Sequence, residues 1–285
     1  WAALPPVQIL PTGTPGVVVR RGAAAADEGA MSSRLPRIGT PDTTVETAET
    51  PEIAPQTPAD DPGLPALRRF AAQPAMAPGE RPLGVVLTDA AGGETAILAL
   101  PVPVTVALDP FDPDAPRRAA AYRAAGHEIA LQAAGLPALA TPSDLALTLD
   151  SWARSFPETV ALIDVPVNGL GANPTLARDF AAMLEPGGYG AIALRGGSDA
   201  WLQAARASGL AVAPVYRLLD GDAVGAITLN RLIDRAAFEA LRQEGILISG
   251  AADSAEIMRA LADFARGGGR AGVALVPASA VLQGG

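Results

Sequence analysis

The chain has 285 residues, 49% hydrophobic but only 4% aromatic, with 27 prolines, no cysteine and a formal net charge of −9. No cysteine means no disulfide, no thiolate-held zinc and no thiol nucleophile, and because all 21 basic residues are arginine there is no lysine for Schiff-base or amine-base chemistry. The acidic balance, with no basic stripe, excludes nucleic acid as a partner class, since phosphate neutralisation supplies most of that affinity.

Residues 1–80 differ in kind from the rest and predict a Pro-rich, acidic, largely disordered linker. They hold 13 of the 27 prolines. Proline removes backbone donors and fixes φ, so runs such as Pro5-Pro6-Val7-Gln8-Ile9-Leu10-Pro11 cannot form the interior of a helix or central strand. The polar run Val45-Glu46-Thr47-Ala48-Glu49-Thr50 is too poor in apolar surface to offset its own ordering entropy. A short helix over 64–72, docking on the domain behind it, is the one element expected here. No apolar run reaches the roughly 18 residues of a membrane span. The chain opens on Trp1 rather than Met, which leaves room upstream for a signal peptide or anchor.

From Arg81 onward short apolar runs alternate with Ala-rich helical stretches. Strands are predicted over 84–87, ending at Thr88 and Asp89, and over 102–109. A helix follows over 114–125, with Asp112 or Asp114 as N-cap and Pro116 tolerated in its first turn. Gly126 stops it, and 127–131 is the third strand. Next come a helix from Thr141 or Ser143 to about Ser155, a strand over 160–165, a helix over 174–184 and a strand over 191–194. Helices over 199–208, 231–243 and 254–266 then alternate with strands over 210–215, 246–249 and 273–277. Glycines sit where several of these helices must stop. Near-continuous apolar strands between helices mean a parallel sheet covered by helices. Seven or eight such units in roughly 205 residues favour an α/β fold of the distorted (β/α) barrel type over 81–285. An open doubly wound sheet is disfavoured, because Asp89-Ala90-Ala91-Gly92-Gly93 lacks the spacing of a phosphate-binding turn.

In such barrels functional side chains gather at the C-terminal ends of strands. Those ends carry Thr88 and Asp89, Asp109, Gln132, Asp164 with Asn168 nearby, Arg195, Arg217 with Asp220, and Ser249. Carboxylates ending the first, second and fourth strands could in principle converge on a metal; the plainer expectation is that they cap the loops and helices that follow. His127, the sole histidine, opens its strand instead of closing it, which puts it on the face where residues serve stability. It is expected to be scaffold. Ser198 reads as a helix N-cap, since no Gly-x-Ser-x-Gly elbow exists to make it a nucleophile.

Three stretches carry a family resemblance covering 81–282. Gly84-Val85-Val86-Leu87-Thr88-Asp89, the run Leu100-Pro101-Val102-Pro103-Val104-Thr105, and above all Ala124-Ala125-Gly126-His127-Glu128 resemble the first, second and Gly-His-Glu third strands of polysaccharide deacetylases of the NodB type, in their divergent polysaccharide deacetylase branch. The resemblance implies a metal held by one Asp and two His, with a second Asp as base on the metal-bound water that hydrolyses N-acetyl groups of sugars. It places Asp89 at the metal Asp, Thr88 at the base, Gln132 at the first His, Gly169 near the second, and Ala251 near a later His. One carboxylate, a Thr and a Gln make a poor zinc site. A catalytically impaired, deacetylase-like protein with no metal and no other cofactor is therefore expected. Its candidate pocket lies near Thr88, Asp89, Gln132 and Asn168, for a glycan or peptidoglycan fragment, and its surface could take an envelope protein partner. The alternative is an active N-acetyl sugar deacetylase with a rebuilt site. A third reading is an unrelated sugar- or nucleotide-binding α/β protein; its nucleotide form would need the phosphate loop that is missing here. The resemblance also implies the periplasm or cell envelope, with membrane contact only through an anchor upstream of Trp1.

Overall fold

Among the described residues, runs of four to eight residues rich in Val, Leu, Ala and Ile form eight parallel strands, each joined to the next through at least one helix. The computed structural model describes residues 61, 63–74, 76–166, 169–194, 199–219 and 225–284. In chain order the elements are α1 (Ala66–Arg69), β1 (Arg81–Thr88), α2 (Glu94–Leu98), β2 (Thr105–Leu108), α3 (Ala115–Ala124), β3 (Glu128–Gln132), α4 (Pro142–Ser155), β4 (Thr159–Ile163), α5 (Pro174–Leu184), β5 (Gly190–Ala193), α6 (Ala200–Ala207), β6 (Val212–Leu219), α7 (Ala226–Arg242), β7 (Ile246–Ala251), α8 (Ala255–Asp263), β8 (Val273–Val276) and α9 (Ala278–Leu282).

Strands β1 to β7 close into a ring, because β1 pairs with both β7 and β2. The first half of β1, Arg81 to Gly84, pairs with β8, and its last residues, Val86 to Thr88, pair with β2. This is the distorted (β/α) barrel expected from the sequence. Side chains alternate across the sheet. Leu83, Val85 and Leu87 face the helices, and Val86 joins Ala107, Ala130, Ile163, Ile192 and Leu247 inside the barrel. The interior is lined mostly by Ala, Val and Ile. Outside it, Phe111, Trp152, Phe180 and Trp201 form a chain with centroids 6.0, 6.1 and 6.3 Å apart, the first two contacts edge-to-face and the third tilted.

The N-terminal end of the barrel is plugged. Helix α9 brings Ala278 and Leu282 into the inner core. The strands make room for it with glycine: a Cβ on Gly84 would fall 2.9 Å from Val281, and one on Gly190 would fall 2.7 Å from Leu282. Helix α1 adds Leu67 to the same core. The Leu67 N–H donates to the Gly188 carbonyl at 3.0 Å, and Gln283 Nε2 donates to the Leu67 carbonyl at 3.2 Å. The short helix expected over 64–72 is thus present at Ala66–Arg69 and docks on the barrel, as expected. The rest of the expected linker, up to residue 60, lies outside the described residues. Among the described residues no helix is long and apolar enough to cross a membrane.

Candidate functional site

The C-terminal ends of β1, β2 and β3, together with α3, build the part of the rim where the candidate residues meet. By alternation Thr88 faces the barrel interior and Asp89 the helices. The Asp89 side chain is only 1% exposed, and both of its oxygens are engaged. Oδ1 accepts from the Tyr122 hydroxyl at 2.8 Å, and Oδ2 accepts from Arg118 Nε at 2.8 Å. Arg118 and Tyr122 are four residues apart, so one face of α3 presents both to β1. Arg118 also donates to Asp112 Oδ2 at 2.7 Å. Burial disfavours the charge on Arg118, but its hydrogen bonds to Asp112 and Asp89 outweigh that and raise its pKa. Burial, then the hydrogen bond to Asp89, pushes the Tyr122 hydroxyl up as well. The hydrogen bond from Arg118 holds Asp112 below the ordinary carboxylate range.

Gln132 ends β3, and its Nε2 donates to the Ala107 carbonyl at 3.1 Å. Asp164 follows β4 and is a loop anchor. Its Oδ1 accepts from the N–H groups of Val165 at 2.9 Å and Leu170 at 2.7 Å, and its Oδ2 from that of Gly171 at 3.1 Å. Burial raises its pKa, and those three N–H groups pull the other way. The turn is tight enough that a Cβ on Gly169 would lie 2.3 Å from both Asp164 Oδ1 and the Val165 carbonyl. Asp109 accepts from the Phe111 N–H at 2.9 Å. The carboxylates ending β2 and β4 thus anchor loops, while that after β1 is ion-paired. Asp114 occupies the N-cap position of α3 without a side-chain cap bond. Asp112 instead accepts from the Asp114 N–H at 2.9 Å. Thr141, not Ser143, caps α4, in a reciprocal box with Asp144. Ser249 is buried and Arg217 exposed. Asn168, Arg195, Ser198 and Asp220 lie outside the described residues.

His127 sits just before β3, at the N-terminal face. It is 2% exposed, its Nδ1 accepts from the Val104 N–H at 3.2 Å, and burial lowers its pKa, partly offset by the Ile97 carbonyl. Its neighbour Glu128 is fully buried beneath the barrel. The carboxylate accepts from the N–H groups of Ala72 at 2.9 Å and Ser279 at 3.3 Å, from Thr105 Oγ1 at 2.9 Å, and from the Ser279 hydroxyl. Burial raises its pKa despite these donors. A cleft of about 720 Å³, lined by α1, Pro157, Glu158 and 185–189, also opens at this end, away from the rim.

The residues at the rim do not fit a metal. Asp89 is committed to a guanidinium and a phenol, Gln132 turns its amide nitrogen to a carbonyl, and Gly169 has no room for a side chain. Among the described residues no group of three or more His, Asp or Glu could hold an ion. The partners of Asp89 were not singled out from the sequence; the one available signal was an Arg and a Tyr one helical turn apart on α3.

A family model described as divergent polysaccharide deacetylase matches residues 86–282. The chain belongs to the divergent polysaccharide deacetylase family. No curated protein matches it. Among solved structures, an uncharacterized protein from Agrobacterium tumefaciens is similar over 79% of this chain and 97% of its own, with a TM-score of 0.66 and 19% identity. The catalytic domain of a peptidoglycan N-acetylglucosamine deacetylase from Eubacterium rectale is similar over 71% of this chain and 90% of its own, with a TM-score of 0.43 and 12% identity. The first of these likenesses shows the barrel fold. In this member of the divergent polysaccharide deacetylases, His127 and Glu128 fasten the underside of the barrel.

Proposed function

We propose that this protein is a catalytically impaired divergent polysaccharide deacetylase, using the barrel to bind a glycan or a protein partner of the cell envelope. The observation that carries the reading is Gly169. At the place where the family resemblance expects a second metal-binding imidazole, any Cβ would collide with Asp164 and the Val165 carbonyl at 2.3 Å. Zinc-dependent hydrolysis needs three strong protein ligands and an open position, and this rim supplies neither imidazole. What supports a binding role is the polar rim that remains, with Thr88 and Gln132 on the inner face of the ring at the ends of β1 and β3, either side of β2. Residence in the periplasm or envelope belongs to the same reading and is checked by cell fractionation.

The test is elemental analysis of freshly purified protein together with acetate release from N-acetylglucosamine oligomers. The expected result is no stoichiometric metal and no acetate, with calorimetric binding of oligomer or envelope partner indifferent to chelator. Stoichiometric zinc with chelator-sensitive acetate release would establish the active-enzyme alternative instead.

A further inference from the structure

The cleft at the N-terminal end of the barrel has no part in the rim. Residues 63–66 with Arg69 and Phe70 form one side, the turn 185–189 another, and Pro157 and Glu158 complete it. Its volume of about 720 Å³ lies within the ~300–1,000 Å³ of small-molecule sites. Glycine shapes the turn. A Cβ on Gly187 would fall 2.5 Å from the Tyr189 ring, and one on Gly188 would fall 2.4 Å from Pro65. The ring is thus left uncovered on that side while the turn closes on the start of α1. Tyr189 is half-buried, and among the described residues nothing hydrogen-bonds its hydroxyl. A tyrosine so placed offers an apolar body and a polar tip that water or a ligand must satisfy.

The charges around the cleft balance. Among the described residues its lining carries Arg69, Glu158 and Glu185, and the Arg123 guanidinium stands behind Glu158, Nε to Oε2 3.5 Å. Two positive and two negative groups leave no net field to draw a phosphate, a nucleotide or a strongly charged peptide. The Arg69 guanidinium lies over the Phe70 ring, 4.8 Å from its centroid, a contact that steadies a long side chain. An open aromatic ring among paired carboxylates and guanidinium donors suits a neutral ligand with apolar C–H faces and hydroxyls that both donate and accept.

We propose that this cleft binds a neutral oligosaccharide. A sugar ring packs on Tyr189, its hydroxyls donate to Glu158 and Glu185, and they accept from Arg69 and the Tyr189 hydroxyl. This site lies apart from the rim and does not depend on what the rim binds.

The test is titration of the full chain with cellotriose, maltotriose and the N-acetylglucosamine trimer, followed by amide shifts in NMR spectra and by calorimetry. At least one trimer should shift the Gly187, Gly188 and Tyr189 amides. Tyr189→Phe keeps the ring and should weaken binding about three- to tenfold. Exposed Glu185, changed to Gln, should weaken it about tenfold. Neither variant removes a packing contact, so both should melt with wild type. No shift at these amides with any of the three trimers overturns the inference. So does binding that both variants leave unchanged. A cationic glucosamine trimer that binds about tenfold more tightly than every neutral one would mark an anionic site and overturn it too. Shifts confined to Thr88 and Gln132 would place the sugar at the rim, supporting the proposed function and sinking this inference. Stoichiometric zinc with acetate release would do the reverse, provided the cleft amides still respond.

Discussion

Gly169 is a position where one missing atom decides a local structure. Its φ of −89° is open to any residue, so the constraint is contact and not backbone strain. Gly169→Ala should destabilise by about 1–3 kcal/mol, the usual cost of forcing atoms into a filled site, read as a lower urea midpoint at unchanged slope. An unchanged midpoint would mean that the turn opens freely, and a side chain there would no longer be excluded. His127 makes a second claim at this scale. Its pKa lies below the ordinary 6.5 in the folded state, so the unfolded chain binds more protons and stability rises with pH through that interval. The contribution is complete above about 6.5 and is lost as pH falls towards the folded value, at up to about 1.4 kcal/mol per pH unit. Glu128 acts in the opposite sense: its raised pKa favours the folded state at low pH and loses that advantage as pH rises past its ordinary value of 4.5. The two are separated by comparing slopes. Between pH 6.5 and 5 the unfolding free energy of wild type should fall more steeply than that of His127→Asn; parallel slopes would remove His127 from the account.

Elements bounded by local chemistry were legible in the sequence, and α9, held by distant contacts, was not. Helix α5 runs over 174–184 as read, because Asn173 caps it and Pro174 suits its first turn. Gly126 stops α3 with φ +88° and open space around it, so backbone conformation alone selects glycine there. Helix α9 went unread, since five residues after a proline carry no periodicity. It exists because Glu128 and Thr105, more than 100 residues earlier, accept the N–H groups of Ser279 and Ala278. The site divides in the same way. Thr88, Asp89 and Gln132 could be placed at strand ends by counting, but the ion pair that engages Asp89 depends on how α3 packs across β1. Glu128→Gln tests the element-scale clasp. The carboxylate meets four donors, and an amide turns its own N–H groups against some of them. A loss of about 1–3 kcal/mol is expected, with hydrogen exchange accelerating selectively at the Ala72 and Ser279 amides. Uniform acceleration would show that Glu128 stabilises the barrel generally and not this junction.

At the scale of the whole molecule the question is where the folding unit begins. A (β/α) barrel needs its ends filled, because the inner faces of its strands are apolar and would otherwise meet water. The rim end has Thr88 and Gln132 to offer to solvent. The N-terminal end has Gly84 and Gly190, whose missing side chains leave hollows, and it is filled from both termini at once by Leu67 of α1 and by Ala278 and Leu282 of α9. Arg123 ties the first of these in by donating to the Phe70 carbonyl at 2.9 Å. A protein beginning at Arg81, where the alternating pattern starts, lacks that half of the plug. Losing the buried Leu67 side chain should cost about 2–5 kcal/mol, and the hydrogen bonds at Leu67, Phe70 and Ala72 about 1 kcal/mol each. Together these approach the whole stability of an ordinary domain. A chain of residues 61–285 should therefore unfold cooperatively, while one of 81–285 should bind hydrophobic dye and melt without a sharp transition. Adding a peptide of residues 61–80 in trans should restore part of the transition if the plug is what is missing. Equal melting curves for the two chains would show that α9 closes the barrel alone.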